Sequence, residues 1–227
     1  EFHACDTQTP RLNTRDKRNK YEAGSKSEIL HQVQSKREVC QSGTIPQKGR
    51  QGMNIFVLHR TPWKAAQMMC DKHIPKMIVE SAQMMASALI RHGAQPEDMP
   101  TTKSGTPYRG GYHHHPCTVW AGDTRNNFLW LASHADQLLT EYFYRFSKKK
   151  HACEDPIMHM RKMFEIIPRG KTTPFAQAMP DNFKHDDAVI AYRQYYHSKD
   201  FAKWEKGVSQ PWWWGMPEYA CVAEGIT

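Results

Sequence analysis

Hydrophobic positions recur with helical spacing through most of the chain after residue 53, but show no sustained period before it. Residues 1–52 are polar, and their scattered apolar side chains cannot bury enough surface to offset the entropy of ordering. Ten Lys and Arg against six Asp and Glu make this part basic. We therefore expect a disordered leader or extension at 1–52, a helical domain at 53–214 and an irregular tail at 215–227.

The boundaries of the helices follow from start and stop residues around the apolar pattern. The apolar run 54–58 predicts a strand-like lead-in or a segment lying across the core. Thr61 and Pro62 suit the start of a helix, Asp71 suits the cap of the next, and Gly93 suits its end. The predicted helices cover residues 63–70, 71–92, 116–146, 154–167, 173–179 and 186–204. With no series of strands, the pattern predicts an all-α fold, a compact single helical domain with a disordered basic N-terminal extension.

The second predicted helix carries the candidate chemistry. Residues four apart share a helix face, so Lys72, Lys76 and Glu80 line up, with His73 beside them. An amine held next to a carboxylate can act as a nucleophile beside a general acid or base. The alternative is a solvated helix face on which lysine and glutamate simply pair.

Charge and cysteine content narrow the function classes. The net charge of +8 favours a polyanionic partner, most simply nucleic acid. No apolar run is long enough to span a membrane, and residues 1–20 lack a secretory signal. The six scattered cysteines predict free thiols in a reducing compartment, with no metal and no cofactor. A zinc site is the alternative, although its spacing matches no common pattern; it would use Cys70, His73, His115 and Cys117.

Four stretches, in this order, carry a family resemblance over residues 53–214. They are Met53 to Leu58; Asp71-x-His73 followed by Glu80; His115-Pro116-Cys117 leading to Trp120, Arg125, Phe128 and Leu131; and Ala191 to Tyr196 with Lys199 and Trp204. Together they resemble the phage pyrimidine-dimer DNA glycosylases of the endonuclease V class.

The resemblance implies a helical DNA glycosylase and abasic-site lyase in which an amine attacks the sugar C1′. It assigns the acid/base role to Glu80 and the position of the attacking amine to Asn54. Because Asn54 is an internal residue here, Lys76 is the substitute nucleophile that the helix spacing offers. The chain departs from the family at Val79, where the family has an arginine before its glutamate.

The expected partner is damaged double-stranded DNA, bound by a monomer in the cytoplasm of a bacterial or phage-infected cell. The residues expected to contact DNA are Lys72, His73, Arg109, His115, Arg125, Tyr192, Arg193, Tyr196, Lys199 and Trp204. For the aromatic members, helical spacing predicts core packing equally well. Two other functions stay open, a phage base-modification enzyme on the same fold and a non-catalytic DNA-binding module.

Overall fold

The computed structural model describes residues 53–216, and these residues form helices joined by loops. The helices are α1 (Pro62–Gln67), α2 (His73–Arg91), α3 (Pro116–Asp123), α4 (Arg125–Phe146), α5 (Glu154–Lys162) and α6 (Ala188–His197). Short 3-10 turns cover Pro96–Asp98, Phe164–Ile166 and Asp181–Phe183. The all-α prediction is confirmed, since residues 53–216 contain no strand beyond an isolated bridge between Thr101 and Pro107. The predicted extension at 1–52 and the tail from residue 217 lie outside the described residues.

Helix α2 lies at the centre of the domain. It packs against α3, α4 and α5, while α1 packs against α4. Its apolar side is fully buried through Met77, Ile78, Met84, Met85 and Leu89. Because these side chains follow the helical period, the opposite side of α2 is left at the surface. That opposite side carries Lys76, Val79 and Gln83, and the buried Glu80 lies beside them.

The start of α2 is fixed by a buried arginine from α4. The Arg145 guanidinium, whose side chain has no exposed surface, pairs with Glu141 at 2.8 Å and with Asp71 at 3.2 Å. It also donates to the carbonyls of Gln67 and Met69. The second oxygen of Asp71 accepts from the backbone N–H of Glu205 at 2.6 Å. Asp71 was predicted to cap α2, but its carboxylate is used in this network, and α2 begins at His73 without a side-chain cap.

Two predicted helices are wrong. The helix expected over 116–146 is divided at Thr124, whose extended backbone (φ −142°, ψ 155°) separates α3 from α4. The Thr124 hydroxyl accepts from the Asn127 N–H, so a threonine N-cap begins a new helix there. Residues 173–179 are not helical. The Thr173 N–H is bound by the Asn127 side chain instead of by a helix.

The other helices are shorter than the pattern predicted. The helix expected over 186–204 runs only from Ala188 to His197, and the carboxylate of Asp187 caps it by accepting from the Val189 N–H. The helix expected to end at Ile167 ends at Lys162 and is followed by a 3-10 turn. None of the helices between residues 53 and 216 combines the length and apolar character needed to cross a membrane.

Candidate active site

The extended segment Met53 to Leu58 lies across the core, as one of the two sequence interpretations had it. All six residues are buried. The Asn54 side chain holds its first turn: its carbonyl oxygen accepts from the N–H groups of Ile55 and Phe56 at 2.8 and 2.9 Å, and its amide donates to the Ala178 carbonyl. Phe56 has a left-handed backbone (φ 38°), which is uncommon for an aromatic residue. This turn directs the backbone nitrogen of Asn54 toward α2.

Glu80 receives that nitrogen. One carboxylate oxygen accepts from the Asn54 N–H at 3.0 Å, and the other lies 3.3 Å from the Lys76 ammonium one helical turn earlier. Glu80 is 9% exposed, and burial raises the pKa of its carboxyl group above the usual value. The Lys76 charge and the Asn54 N–H oppose that shift of the pKa without cancelling it. A buried carboxyl group whose pKa moves toward neutral suits proton transfer.

His73 lies beside this pair but is held as a neutral ring. Burial, and then the charges of Lys76, Lys199 and Lys72, lower its pKa to about 3. Its Nδ1 contacts the Tyr196 hydroxyl at 2.7 Å, and that hydroxyl also accepts from the Cys70 N–H. The Tyr196 hydroxyl can therefore donate its own proton to Nδ1. This contact favours the tautomer of His73 in which the ring proton is on Nε2.

Two cavities share Lys76 and Met53 in their linings. The first, of about 410 Å³, is bounded by Asn54, His73, Lys184 and Lys199 among others. The second, of about 370 Å³, contains Glu80 and is completed by Val79, Gln83 and Tyr112. The candidate acid and the candidate amines therefore lie where a ligand can enter.

Comparison with known proteins matches the surroundings of this site to one family. Residues 53–155 match the family model described as pyrimidine dimer DNA glycosylase. Residues 53–155 are therefore similar to that family, over less than half of the chain. Comparisons with curated proteins and with solved structures gave no match. The matched span includes Asn54, Lys76, Glu80 and both ends of α2. The family is one of DNA repair glycosylases, and its substrate is DNA.

Several of the predicted DNA contacts lie around the cavities. Lys72 is exposed, with its ammonium 4.3 Å from the centre of the Phe201 ring, and Lys199 lies 3.5 Å from the centre of the Tyr195 ring. Arg109 lines a neighbouring cavity of about 520 Å³ that also borders α2. Lys184 was missed by the sequence interpretation, because nothing in its local pattern distinguishes it from other surface lysines.

His115 has a structural contact as well as a place at the site. Its Nδ1 accepts from the Cys117 N–H at 3.3 Å and caps α3, and its side chain also borders the first cavity. Burial lowers the pKa of its ring. The zinc site considered from the sequence is not assembled, because residues 53–216 contain no group of three or more His, Cys, Asp or Glu placed to hold a metal ion.

Four other predicted contacts, in α6 and just after it, point into the protein. Tyr192 and Tyr196 are fully buried, Trp204 is 8% exposed, and Arg193 donates to the Leu58 carbonyl while packing on Trp212 and Trp213. For these aromatic side chains the structure corresponds to the core-packing alternative. Arg125 donates to the Glu165 carbonyl and packs on Phe164. Because they are used inside the domain, we do not carry these residues forward as DNA contacts.

Proposed function

We propose that this protein is a DNA glycosylase and abasic-site lyase that removes damaged pyrimidines from double-stranded DNA, with Glu80 as the acid/base and an adjacent amine as the nucleophile. The observation that supports this most directly is the pairing of the two oxygens of one buried carboxylate with two different nitrogens, Asn54 N and Lys76 Nζ. A glutamate that only paired with a lysine on a solvated helix face would not be buried and hydrogen-bonded to the backbone of a distant segment. We expect the enzyme to act as a monomer, in the cytoplasm of a bacterial or phage-infected cell.

The proposed reaction proceeds in four steps. The amine attacks C1′ of the damaged nucleotide, and the glycosidic C1′–N bond breaks with its electron pair leaving on the base. The attacking nitrogen then loses a proton, and the C1′–O4′ bond opens with its electron pair leaving on O4′, which takes up a proton, so that a Schiff base forms. Removal of a C2′ proton breaks the C3′–O bond and releases the 3′ phosphate, and water later hydrolyses the imine. No metal or cofactor takes part.

Glu80 has two roles in this reaction, stabilising positive charge and transferring protons. As a carboxylate it stabilises positive charge developing on the sugar, in a buried site where that interaction is stronger than in water. It is also within reach of the protons that the attacking nitrogen must lose. Its raised pKa brings its two protonation states closer in free energy at neutral pH, which is useful for a group that both accepts and returns a proton.

Two nitrogens are candidates for the nucleophile. In the uncleaved chain Asn54 N is a peptide amide, which is not nucleophilic. We therefore assign Lys76 as the nucleophile of the uncleaved chain. Cleavage between Met53 and Asn54 would turn Asn54 N into an amine at a position 3.0 Å from Glu80. That position agrees with the one that the family uses, and it is the second candidate.

A basic surface beside the first cavity suits binding of the DNA backbone. Lys72, Lys184 and Lys199 carry ammonium groups there, and Arg109 lines a further cavity that borders α2. Lys184 also pairs with Asp181 at 2.8 Å, an exposed contact that a phosphate can replace at little cost. We propose that these four side chains contact phosphates and hold the strand over Glu80.

Borohydride trapping on a duplex with an abasic site tests the proposal, because borohydride reduces a Schiff base to a stable amine. The full chain should form a covalent adduct that peptide mapping assigns to Lys76, and Lys76→Arg should abolish it while keeping the charge next to Glu80. Lys64→Arg, at an exposed lysine of α1 that lines neither cavity, is the matched control and should be trapped normally.

A chain that begins at Asn54 separates the two nucleophiles. If the terminal amine takes over, the adduct should map to residue 54, and Lys76→Arg should no longer prevent trapping. A wild-type protein that forms no adduct, excises no base from pyrimidine-dimer duplexes and does not nick abasic duplexes would refute the proposal. Salt-dependent DNA binding in that case would indicate the non-catalytic module.

A further inference from the structure

The cavity that contains Glu80 has an apolar entrance. Val79 and Tyr112 are two of the few large hydrophobic side chains left exposed in residues 53–216, at 41% and 49%. Both line this same cavity, one from α2 and one from the loop before α3. Exposed apolar side chains beside a catalytic candidate indicate a ligand surface more often than scattered ones do. The first cavity differs, since Lys184 and Lys199 border it in addition to the Lys76 that lines both cavities.

The loop that carries Tyr112 is fixed against α2. Ser87 makes two hydrogen bonds with Gly111, accepting from its N–H at 2.9 Å and donating to its carbonyl at 3.0 Å. Gly110 approaches so closely that an added Cβ would lie 2.2 Å from the Ser87 hydroxyl, and its φ of +67° also requires glycine. The loop therefore passes α2 at a set distance.

Tyr112 itself has a left-handed backbone, with φ of 54°. This conformation costs free energy in a non-glycine residue, and it is retained where the surrounding contacts hold it in place. The Tyr112 carbonyl accepts from the His115 N–H at 2.9 Å, which ties the residue to the start of α3. The ring is thus half-exposed on a rigid support, so a ligand that stacks on it loses little entropy in ordering the protein.

We propose that Tyr112 and Val79 hold the target nucleobase at the Glu80 cavity, Tyr112 by stacking on the face of the base and Val79 by apolar contact. This inference rests on the proposed function. A damaged pyrimidine is uncharged and has apolar ring faces, which suit an aromatic and an aliphatic side chain, whereas the phosphates suit the lysines around the first cavity. The Gln83 side chain lines the same cavity and supplies an amide for the polar edge of the base.

Two substrates separate a contact with the base from every other role of Tyr112. One is a duplex with a pyrimidine dimer, and the other is a duplex with an abasic site, in which the target base is missing. Tyr112→Ala should raise the KM for dimer excision by about 5- to 150-fold, the range found for one lost base–aromatic stack. Nicking of the abasic duplex should stay within about twofold of wild type.

Two variants control the experiment. Tyr112→Phe keeps the ring and should keep wild-type KM on both substrates. Tyr144→Ala removes a tyrosine that is 67% exposed but lines neither cavity, and it should also leave both values unchanged. Thermal melting of each variant checks that the fold is retained.

An equal loss on both substrates, or no loss on the dimer duplex, would overturn the inference while leaving the proposed function intact. If wild-type protein processed neither substrate, the proposed function would fail. Binding affinities for the two duplexes would then test whether Tyr112 contacts the base. In that case Tyr112→Ala must still weaken binding to the dimer duplex and not to the abasic duplex, and equal affinities would refute the stacking role.

Discussion

The free energy of unfolding should decrease between pH 8 and pH 5, and replacing His134 with leucine should make that decrease about 2 kcal/mol smaller. The His134 ring in α4 is fully buried, and neither ring nitrogen has a hydrogen-bond partner among the described residues. It stacks on Trp130 with ring centres 5.1 Å apart. Burial lowers the pKa of the ring from 6.5 to about 3, so the folded protein keeps it neutral.

The size of the effect follows from the difference in proton binding between the folded and unfolded chains. Above pH 6.5 both forms are neutral at His134, and the residue adds no pH dependence. As the pH falls below 6.5 the unfolded chain takes up a proton that the folded chain refuses, so the free energy of unfolding decreases down to about pH 3. At pH 5 the decrease relative to pH 8 is RT ln(1 + 10^1.5), or about 2 kcal/mol.

Urea unfolding at pH 8 and pH 5, followed by circular dichroism, measures this quantity. The change in unfolding free energy between the two pH values should be about 2 kcal/mol smaller for His134→Leu than for wild type, whatever the substitution does at pH 8. The control Leu138→Val removes one buried methylene from the same helix and no titrating group, so its cost of about 1 kcal/mol should be equal at both pH values. An identical pH dependence in wild type and His134→Leu would refute the buried neutral ring.

Four further outcomes follow from the site. Glu80→Gln should lower single-turnover excision by about two to four orders of magnitude while retaining binding; full activity in a folded variant would remove Glu80 from the mechanism. The acid limb of wild-type excision should lie above the ordinary glutamate pKa of about 4.3, since burial raises the pKa of Glu80; a limb at or below that value would contradict it. Lys184→Ala and Lys199→Ala should each reduce the slope of log K against log salt by about one unit, and an unchanged slope excludes that phosphate contact. Arg145→Met should cost about 3–5 kcal/mol in urea unfolding, because it leaves Asp71 and Glu141 buried without their cation.

The pattern of the sequence predicted the helices that depend on local periodicity and missed what depends on single side-chain contacts. Helix α2 and its buried side follow from apolar spacing alone. The division at Thr124 does not, because a threonine inside an apolar helical pattern reads equally well as an interior residue. Only the partner of its hydroxyl, Asn127 N–H, distinguishes the two, and Asn127 also binds Thr173, which lies in the segment wrongly predicted as a helix.

The candidate site residues also divide into those that local helical spacing predicts and those that depend on distant contacts. Lys76 and Glu80 come together because residues four apart on a helix must. The aromatic and basic residues of α6 also obey a helical period, but the period does not say which side of the helix meets the core. Tyr192 and Tyr196 face inward because the segment from Met53 to Leu58 lies against them: Phe56 packs edge-on to both rings. That packing joins residues about 140 apart, a distance over which a single sequence carries no local signal.

The position of Asn54 N at Glu80 does not depend on Lys76. Helix geometry brings the lysine to the carboxylate, whereas the turn held by the Asn54 side chain and the Ala178 carbonyl brings the backbone nitrogen to it. On our proposal one nitrogen attacks the sugar and the other stays beside Glu80, where an ammonium group favours the carboxylate form and an amide does so less strongly. Freeing the amine of Asn54 would therefore place a second cation beside Glu80. Because a nearby cation favours the carboxylate form, the pKa of Glu80 would fall. The carboxylate is common to both routes, which is why loss of Glu80 should impair excision whichever nitrogen is the nucleophile.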